Sequence, residues 1–185
     1  MTFEELGLMP RLVEQLKEQG IVDPTPIQIQ AIPHALAGRD VMGLAQTGTG
    51  KTAAFGLPIM NHLLKVGKKP APKTVRGLIL APTRELAGQI KDNLTAYSQG
   101  THIKVGLVVG GMSISAQVNR LARGTDLLIA TPGRLIDLIE RKAVDLSETQ
   151  FLILDEADQM LDLGFIHALR QIAPLLAAER QTMLF

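Results

Sequence analysis

The sequence predicts a three-layer α/β fold with a mainly parallel central sheet and helices on both of its faces. Short apolar segments alternate with segments of helical period, which is the pattern of strands joined by crossover helices. A glycine-bearing loop follows the first apolar segment and precedes a helical one, an order that suits a phosphate-binding site. The 185 residues fit one domain, and the 46% hydrophobic content suits a sheet covered on both faces.

The N-terminal part of the chain contains two predicted helices and a proline-rich turn between them. Residues 2–5 have the spacing of a capping box, and a short helix is predicted for 10–19. Thr25 and Pro26 have the residue types of an N-cap and a first helical position. A second helix is therefore predicted for 26–36.

Strand and helix alternate from residue 41 onward. The predicted strands are 41–45, 77–81, 103–109, 126–130, 151–154 and 182–185. The predicted helices are 52–64 (bent near Pro58), 84–97, 113–123, 132–141 and 165–178. Residues 66–74, with three lysines and two prolines, are predicted to form a flexible loop.

The composition excludes several classes of site. The chain has no cysteine, so disulfides and thiolate-bound metals are absent. Its four histidines are scattered without ligand spacing, so no histidine-bound metal is expected. The N-terminus lacks the parts of a signal peptide and no apolar run is long enough to cross a bilayer, so we expect a cytoplasmic protein without membrane contact.

Charge is unevenly distributed along the chain, although the net charge is only +1. Between Asp40 and Glu85 every charged residue is basic: Lys51, Lys65, Lys68, Lys69, Lys73, Arg76 and Arg84. Between Ala143 and Leu169 every charged residue is acidic: Asp145, Glu148, Asp155, Glu156, Asp158 and Asp162. Such runs usually form solvated faces, but a phosphate-binding half opposite a magnesium-binding half would give the same asymmetry.

The glycine-bearing loop reads Val-Met-Gly-Leu-Ala-Gln-Thr-Gly-Thr-Gly-Lys-Thr and ends at Thr52. Gly48 and Gly50 allow backbone N–H groups to turn toward an anion, and the following helix N-terminus adds partial positive charge. Lys51 can reach the outer phosphates, and the Thr52 hydroxyl can ligate magnesium. Ala45 stands where the generic pattern has its first glycine, so a glycine-rich β-turn with an incidental lysine is the alternative.

An acidic segment, Asp-Glu-Ala-Asp at residues 155–158, follows the predicted strand 151–154. Ligands of open parallel sheets bind beyond the carboxyl ends of strands, so Asp155 is predicted to hold magnesium together with Thr52. Glu156 is then placed to orient or deprotonate an attacking water, because phosphoryl transfer needs mainly charge and positioning from the protein. The alternative is a solvated acidic turn that caps the next helix.

Together these two motifs resemble those of the DEAD-box RNA helicases, whose first motif carries alanine where this chain has Ala45. The resemblance covers essentially the whole chain and keeps the family's motif order. It implies a RecA-like P-loop NTPase domain over residues 1–185, with an adenine-sensing extension at 1–28: the N-terminal domain of a bacterial-type, ATP-dependent RNA helicase. The family's Ser-Ala-Thr motif and second RecA-like domain are absent, so we expect a truncated, monomeric fragment that ends before that motif.

The resemblance also implies ATP and Mg²⁺ as ligands, with Gln28 reading the adenine edge and Phe3 as an upstream aromatic. Ile21 departs from the aromatic residue common in the family, so aliphatic contact would replace stacking on adenine. From the residues alone, an exposed helix residue is the preferred interpretation of Gln28. The implied nucleotide-binding residues are Phe3, Ile21, Thr25, Gln28, Gln46, Thr47, Gly48, Thr49, Gly50, Lys51 and Thr52. The implied catalytic residues are Lys51, Asp155 and Glu156, and the implied metal ligands are Thr52 and Asp155.

Three further motifs resemble the RNA-contacting motifs of the family. The implied contacts are Pro82, Thr83, Arg84, Gly110, Gly111, Thr131, Pro132, Gly133 and Arg134. Ordinary helix starts and a tight turn are the alternative for these motifs. Aromatic residues make up only 3% of the chain, so sequence-independent backbone contact is expected rather than base stacking. Asp158 would couple the nucleotide state to the second RecA-like domain. The basic loop from Lys65 to Arg76 is expected to be a solvated tether rather than an RNA site.

Three functions therefore remain: an RNA helicase, a DNA translocase or related motor, and a non-catalytic nucleotide-gated module. The segment ending at Gln28 and the spelling of residues 155–158 favour the first. Without a second domain to supply arginine fingers, the chain is expected to bind nucleotide weakly, hydrolyse ATP slowly and not unwind a duplex. All of these expectations require Lys51, Thr52, Asp155 and Glu156 to converge in space.

Overall fold

The computed structural model describes residues 1–46 and 48–185, and within them a single six-stranded sheet forms the centre of the domain. Its strands are β1 (Val41–Met42), β2 (Val75–Leu80), β3 (Val105–Val108), β4 (Thr125–Ala130), β5 (Phe151–Leu154) and β6 (Gln181–Leu184). Their order across the sheet is β1-β6-β5-β2-β4-β3, and every pairing is parallel. The predicted parallel sheet is therefore confirmed.

Helices cover both faces of this sheet. They are α1 (Pro10–Glu18), α2 (Pro26–Leu36), α3 (Lys51–Val66), α4 (Arg84–Tyr97), α5 (Ile114–Leu121), α6 (Pro132–Glu140), α7 (Ala157–Asp162) and α8 (Ile166–Ile172), with a 3₁₀ turn at Ala173–Leu175. None of these helices has both the length and the apolar character needed to span a membrane.

The two faces of the sheet bury different sets of side chains because neighbouring residues of a strand point to opposite sides. Ile79 of β2 lies in register with Ile129 and Ile153, and this row packs under α1–α4. The adjacent residue Leu78 lies in register with Leu128 and Leu152, and that row packs under α5–α8. The fold is thus the three-layer arrangement that the alternating segments predicted.

Strand β1 is shorter than predicted. It ends at Met42 rather than at residue 45, and only the N–H of Gly43 continues the pairing, through a 2.8 Å hydrogen bond to the carbonyl of Leu184. The partner strand β6 ends at that residue. Leu44 is 93% exposed, so the apolar run reflects the approach to the loop rather than a longer buried strand.

The region after β5 also differs from the prediction. Residues 157–162 form a short helix, α7, that the sequence analysis did not predict. The helix predicted for 165–178 is α8 followed by the 3₁₀ turn, because Pro174 has no N–H with which to continue an α-helix.

At the N-terminus the predicted capping box is present as reciprocal hydrogen bonds. The N–H of Thr2 donates to Glu5 Oε2 at 2.7 Å, and the N–H of Glu5 donates to Thr2 Oγ1 at 3.2 Å. Residues 3–7 form turns rather than a helix. Phe3 between these two residues is only 1% exposed and belongs to the apolar cluster under α1–α4.

Candidate active site

The predicted site segments beyond α2 all follow the carboxyl ends of strands. The glycine-bearing loop follows β1, and the acidic segment follows β5. The three predicted RNA motifs, residues 82–84, 110–111 and 131–134, follow β2, β3 and β4. Since every pairing is parallel, these ends lie along one edge of the sheet, where open α/β folds bind their ligands.

Lys51, the first residue of α3, contacts the acidic segment directly. Its Nζ lies 2.7 Å from Glu156 Oε1 and 3.3 Å from Asp155 Oδ1. Lys51 is 8% exposed and Asp155 is 1% exposed, while the Glu156 side chain keeps 26% of its surface open to solvent. The predicted convergence of the lysine with the two carboxylates is therefore observed, and Glu156 is the member most accessible from outside.

Burial and mutual attraction act in opposite directions on these charges. Burial disfavours the Lys51 ammonium, but its hydrogen bond to Glu156 and the two negative charges outweigh that cost, so the pKa of Lys51 is raised above its ordinary value. Burial raises the pKa of Asp155, and the charge of Lys51 offsets this only in part. Asp155, directly after β5, therefore depends on nearby cations to remain ionised.

Backbone conformation in the glycine-bearing loop requires glycine at two positions. Gly48 has φ 84° and Gly50 has φ 85°, a left-handed region that other residues rarely adopt. Thr49 Oγ1 donates to the carbonyl of Gln46 at 2.5 Å. Thr47, a predicted nucleotide contact, lies outside the described residues.

Gln28 connects the N-terminal segment to this loop. Its Nε2 donates to the carbonyl of Gly50 at 3.1 Å, and its Oε1 accepts the N–H of Thr25 at 2.9 Å. Gln28 is 3% exposed, so the interpretation as an exposed helix residue is wrong. Both ends of the amide already have protein partners, and the predicted contact with adenine stays a prediction.

Two other predicted nucleotide contacts have apolar surroundings. Phe3 is buried in the cluster under α1–α4, whereas Ile21 is half-buried and packs against the same cluster. The Oγ1 atom of Thr25 is buried and makes no hydrogen bond within residues 1–46 and 48–185. This side chain lies against the loop, because a Cβ added to Gly50 would be 3.0 Å from the hydroxyl oxygen.

A cleft of about 280 Å³ opens beside Lys51 and brings in residues that the sequence analysis missed. Thr52, Asp155 and Glu156 line it on one side. One face of α4 lines the other side: Leu86, Gln89, Ile90, Asn93 and Tyr97. Their helical spacing was visible in the sequence, but only the fold shows that this face turns toward the loop. Burial raises the pKa of the Tyr97 phenol, so it is neutral at physiological pH.

These residues fit the predicted magnesium ion. Thr52 and Asp155 line the same cleft, and they carry the oxygen ligands that Mg²⁺ prefers. In the described part of the chain, no group of three or more His, Asp or Glu side chains is placed to hold a metal by itself. A magnesium ion here would therefore depend on the phosphate oxygens of a bound nucleotide for further ligands.

The three predicted RNA motifs are joined by hydrogen bonds from two arginines. Arg84 Nη1 donates to the carbonyl of Gly110 at 3.4 Å. Arg134 Nη1 donates to the carbonyl of Met112 at 2.9 Å and to Gln117 Oε1 at 3.0 Å. Gln117 is 1% exposed and was not predicted as a site residue. The loop between β3 and α5 is thus held by the segments that follow β2 and β4.

The ordinary helix-start interpretation of these motifs also holds. Thr83 Oγ1 accepts the N–H of Leu86 at 3.2 Å, so Thr83 caps α4. Thr131 and Pro132 occupy the N-cap and first position of α6, with Gly133 and Arg134 in its first turn. The two helices therefore begin at the edge that carries the candidate site, where their free N–H groups favour anions.

Asp158 lies in the first turn of α7, where its Oδ1 accepts the N–H of Gln159 at 2.9 Å. It lines a second, largely apolar cleft of about 330 Å³ that also reaches Lys51 and Glu156. Exposed Leu44 and Leu161 belong to this cleft. Asp158 is therefore separated from the acidic strand tip but shares a surface with it.

Comparisons with known proteins agree with this geometry. The family model described as DEAD/DEAH box helicase matches residues 25–185. Two curated relatives, each named DEAD-box ATP-dependent RNA helicase CshA, come from the Streptococcus pneumoniae strains TIGR4 and R6. Each is 45% identical to this chain over 185 residues. The match covers all of this chain but 34% of each relative's length.

Proposed function

Because this chain belongs to the DEAD/DEAH box helicase family, we propose that it is the N-terminal, RecA-like ATP-binding domain of an ATP-dependent RNA helicase. The observation that supports this proposal best is the contact of Lys51 Nζ with Asp155 and Glu156 beside the glycine-bearing loop. It assembles a phosphate-binding cation, a candidate metal ligand and a candidate base at one strand edge.

The proposed chemistry is phosphoryl transfer from ATP to water. Lys51 and the backbone N–H groups of residues 48–52 bind the phosphates, and anionic phosphate oxygens compete with the carboxylates for the Lys51 ammonium. Glu156, once its contact with Lys51 is broken, is placed to orient or deprotonate a water. Thr52 and Asp155 would hold a bound Mg²⁺, which would neutralise negative charge on the phosphates.

The proposed RNA contacts lie along the same edge of the sheet. Helix N-termini at α4 and α6 and the open backbone of Gly110 and Gly111 present donors to phosphate oxygens. Arg84 and Arg134 hold the loop that carries these glycines. Such contacts bind the sugar-phosphate backbone and give little dependence on RNA sequence.

A second RecA-like domain is the proposed partner within a longer protein, since the chain spans 34% of the length of the relatives it matches. Asp158 and the apolar cleft beside it are the proposed coupling surface. We expect the isolated chain to be monomeric and to hydrolyse ATP slowly, because arginine fingers from the second domain would be missing. A cytoplasmic location is likewise proposed.

Nucleotide binding by this chain tests the proposal. Wild-type protein, Lys51→Ala and Lys65→Ala are titrated with a fluorescent ADP or ATP analogue in the presence of Mg²⁺. Lys65 lies in the last turn of the same helix and is exposed, so it provides a matched charge control. We expect Lys51→Ala to weaken binding at least tenfold, an energy of about 1.4 kcal/mol. Equal binding by wild type and Lys51→Ala would reject the nucleotide site.

The two rival functions have different outcomes in related measurements. A DNA translocase would have hydrolysis stimulated by DNA rather than RNA. A non-catalytic module would bind nucleotide and RNA without any turnover that depends on Glu156. The identity of 45% to proteins named as RNA helicases favours the RNA helicase among the three.

A further inference from the structure

We propose that the amino edge of the sheet carries a second contact surface for the phosphate backbone of RNA, formed by Lys104, Arg120 and Arg123. The proposal rests on the proposed function, because it concerns the same RNA that the carboxyl edge would bind. These three cations line an open cleft of about 430 Å³ together with Asn119 and Gly124. We call this surface the basic cleft.

The basic cleft lies at the far end of the strands that carry two of the predicted RNA motifs. Lys104 directly precedes β3, and Gly124 directly precedes β4. Gly110 and Arg134 lie beyond the carboxyl ends of those same strands. Because both strands are parallel, the cleft and the predicted RNA motifs are separated by roughly 20 Å, the length of about six extended residues.

The only carboxylate that contacts a residue of the basic cleft, among the residues that the structure describes, is the buried Asp126, which accepts the N–H of Lys104. The sequence has no aspartate or glutamate from residue 93 to 125, and none of the residues that line the cleft is acidic. Lys104, Arg120 and Arg123 are exposed, and none of them forms an ion pair in the part of the chain that the structure describes. Their field is therefore available to an anionic partner.

The backbone of the cleft is held in place before any ligand binds. The N–H of Lys104 donates to Asp126 Oδ2 at 2.8 Å, and its carbonyl accepts the N–H groups of Asp126 and Leu127 at 3.1 and 3.0 Å. Asp126 is 1% exposed, so its carboxylate serves this backbone contact and lies away from solvent. Lys104 is thus fixed at the rim by its main chain while its side chain stays exposed.

Gly124 lets a basic loop approach the same corner of the domain. It has φ 83°, and a Cβ at this position would lie 2.5 Å from the carbonyl oxygen of Ala71. Pro70 and Ala71 therefore pack directly against Gly124, a residue that lines the cleft. The sequence predicted a solvated tether here, and this contact gives its central residues a defined neighbour.

The composition of the cleft favours nucleic acid over a protein partner. Its lining contains no apolar side chain, whereas the centre of a protein interface is usually apolar and depleted in charge. Arginine is the residue that binds phosphate oxygens in paired hydrogen bonds, and two arginines line this cleft, Arg120 in the last turn of α5 and Arg123 in the turn that follows it. β3 is one of the two side strands of the sheet. RNA held at Gly110, beyond the carboxyl end of β3, can therefore run along the side of the domain toward Arg120 near the amino end of the same strand.

RNA length is the variable that tests the proposal. A short single-stranded RNA that covers only the predicted motifs is compared with a longer one that carries extra nucleotides on both sides. Binding of each is measured over a series of salt concentrations for wild type, Arg120→Glu/Arg123→Glu, Lys104→Ala and the control Arg170→Glu/Arg180→Glu. The control pair is exposed, lies outside the basic cleft and makes the same change in net charge.

We expect Arg120→Glu/Arg123→Glu to weaken binding of the longer RNA roughly tenfold. The slope of log K against log salt concentration should become shallower by about 1.4, or about 0.7 for each of two lost phosphate contacts. Lys104→Ala should give about half of that change in salt dependence. The short RNA and the control variant should change by less than about twofold. Equal losses for both RNA lengths, equal losses in the control, or an unchanged affinity for the longer RNA would overturn the proposal.

A further variant, Arg84→Ala/Arg134→Ala, separates this inference from the proposed function. If that variant binds both RNAs as wild type does, the predicted RNA motifs do not contact RNA. The basic cleft would then be accepted or rejected from the results for Arg120→Glu/Arg123→Glu and Lys104→Ala. If it loses both RNAs and the cleft variants lose neither, the proposed RNA motifs stand and the basic cleft is rejected. Wild-type protein that binds neither RNA would overturn both.

Discussion

Lys51 Nζ lies 2.7 Å from Glu156 Oε1, although the two residues are 105 positions apart in the chain. The pairing places the lysine of the glycine-bearing loop on the carboxylate proposed to act on water. In this arrangement the phosphate-binding cation and the candidate base neutralise each other. Binding of a triphosphate would break their contact, so nucleotide binding and activation of the base are linked through one side chain.

Glu156→Gln tests the role of this carboxylate. The amide keeps the size of the side chain and can still accept a hydrogen bond from Lys51, but it cannot take a proton from water. We expect nucleotide affinity to change by less than about threefold, while single-turnover ATP hydrolysis falls by at least about 10²-fold, the usual contribution of a general base.

The matched control is Asp162→Asn, which removes an exposed carboxylate from the end of α7, away from the residues that line the nucleotide cleft. It should leave both nucleotide affinity and hydrolysis unchanged. Hydrolysis by Glu156→Gln at the wild-type rate would remove Glu156 from the mechanism and favour a module whose turnover does not depend on this residue.

Asp155→Asn is expected to change how the stability of the fold depends on pH. Burial raises the pKa of Asp155 above its ordinary value of 3.8, so the folded state binds this proton more tightly than the unfolded state does. Its contribution to stability is then complete below pH 3.8 and is lost as pH rises through the folded pKa. The asparagine variant avoids that loss, so its free energy of unfolding relative to wild type should show a gain as pH rises.

Urea unfolding of wild type and Asp155→Asn between acidic and neutral pH measures this difference. The gain should grow with pH, because only the wild-type carboxyl becomes ionised. Asp145→Asn provides a control of opposite sign, since hydrogen bonds from Ser147 lower the pKa of Asp145. Its ionised form stabilises the fold above pH 3.8, and that stabilisation is lost as pH falls. A gain for Asp155→Asn that does not vary with pH would contradict this account.

Much of the fold could be predicted because its signals are local. The apolar run 151–154 matches β5, and the boundaries of α4 are those expected from its sequence pattern. Helix α7 was missed because no glycine marks the boundary between β5 and α7. The chain changes direction there at Glu156, which adopts a left-handed conformation, φ 55° and ψ 50°. β1 was predicted too long because its end depends on where β6 stops, which is a property of the partner strand.

Some contacts of the candidate site could likewise be predicted from the sequence, and others could not. The convergence of Lys51 with Asp155 followed from the prediction of a parallel sheet, since both residues were expected beyond the carboxyl ends of its strands. The hydrogen bond from Arg134 to Gln117 joins residues on α6 and α5, and neither residue type nor spacing indicates such a pair. Contacts of this kind depend on tertiary packing, so the sequence alone could not reveal them.

Alanine substitutions of Gly50 and Gly48 separate the cost of backbone strain in the glycine-bearing loop from the cost of a steric collision. Both residues have nearly the same left-handed φ, 85° and 84°, so alanine introduces similar backbone strain, about 1–2 kcal/mol, at each position. A Cβ at Gly50 would collide with Gln28 Nε2, whereas a Cβ at Gly48 would meet no atom within 4 Å among the described residues beyond its chain neighbours. Gly50→Ala should therefore lose more stability and more nucleotide affinity than Gly48→Ala.

Combining Gly50→Ala with Gln28→Ala identifies the origin of the difference. If the collision with the amide is responsible, the double variant should be more stable than the sum of the single effects predicts, by about 1 kcal/mol. Thermal unfolding and nucleotide titration of the four proteins in the cycle measure this coupling. Additive losses would mean that Gln28 and the loop act independently, and that the 3.1 Å contact between Gln28 Nε2 and the Gly50 carbonyl does not position the loop.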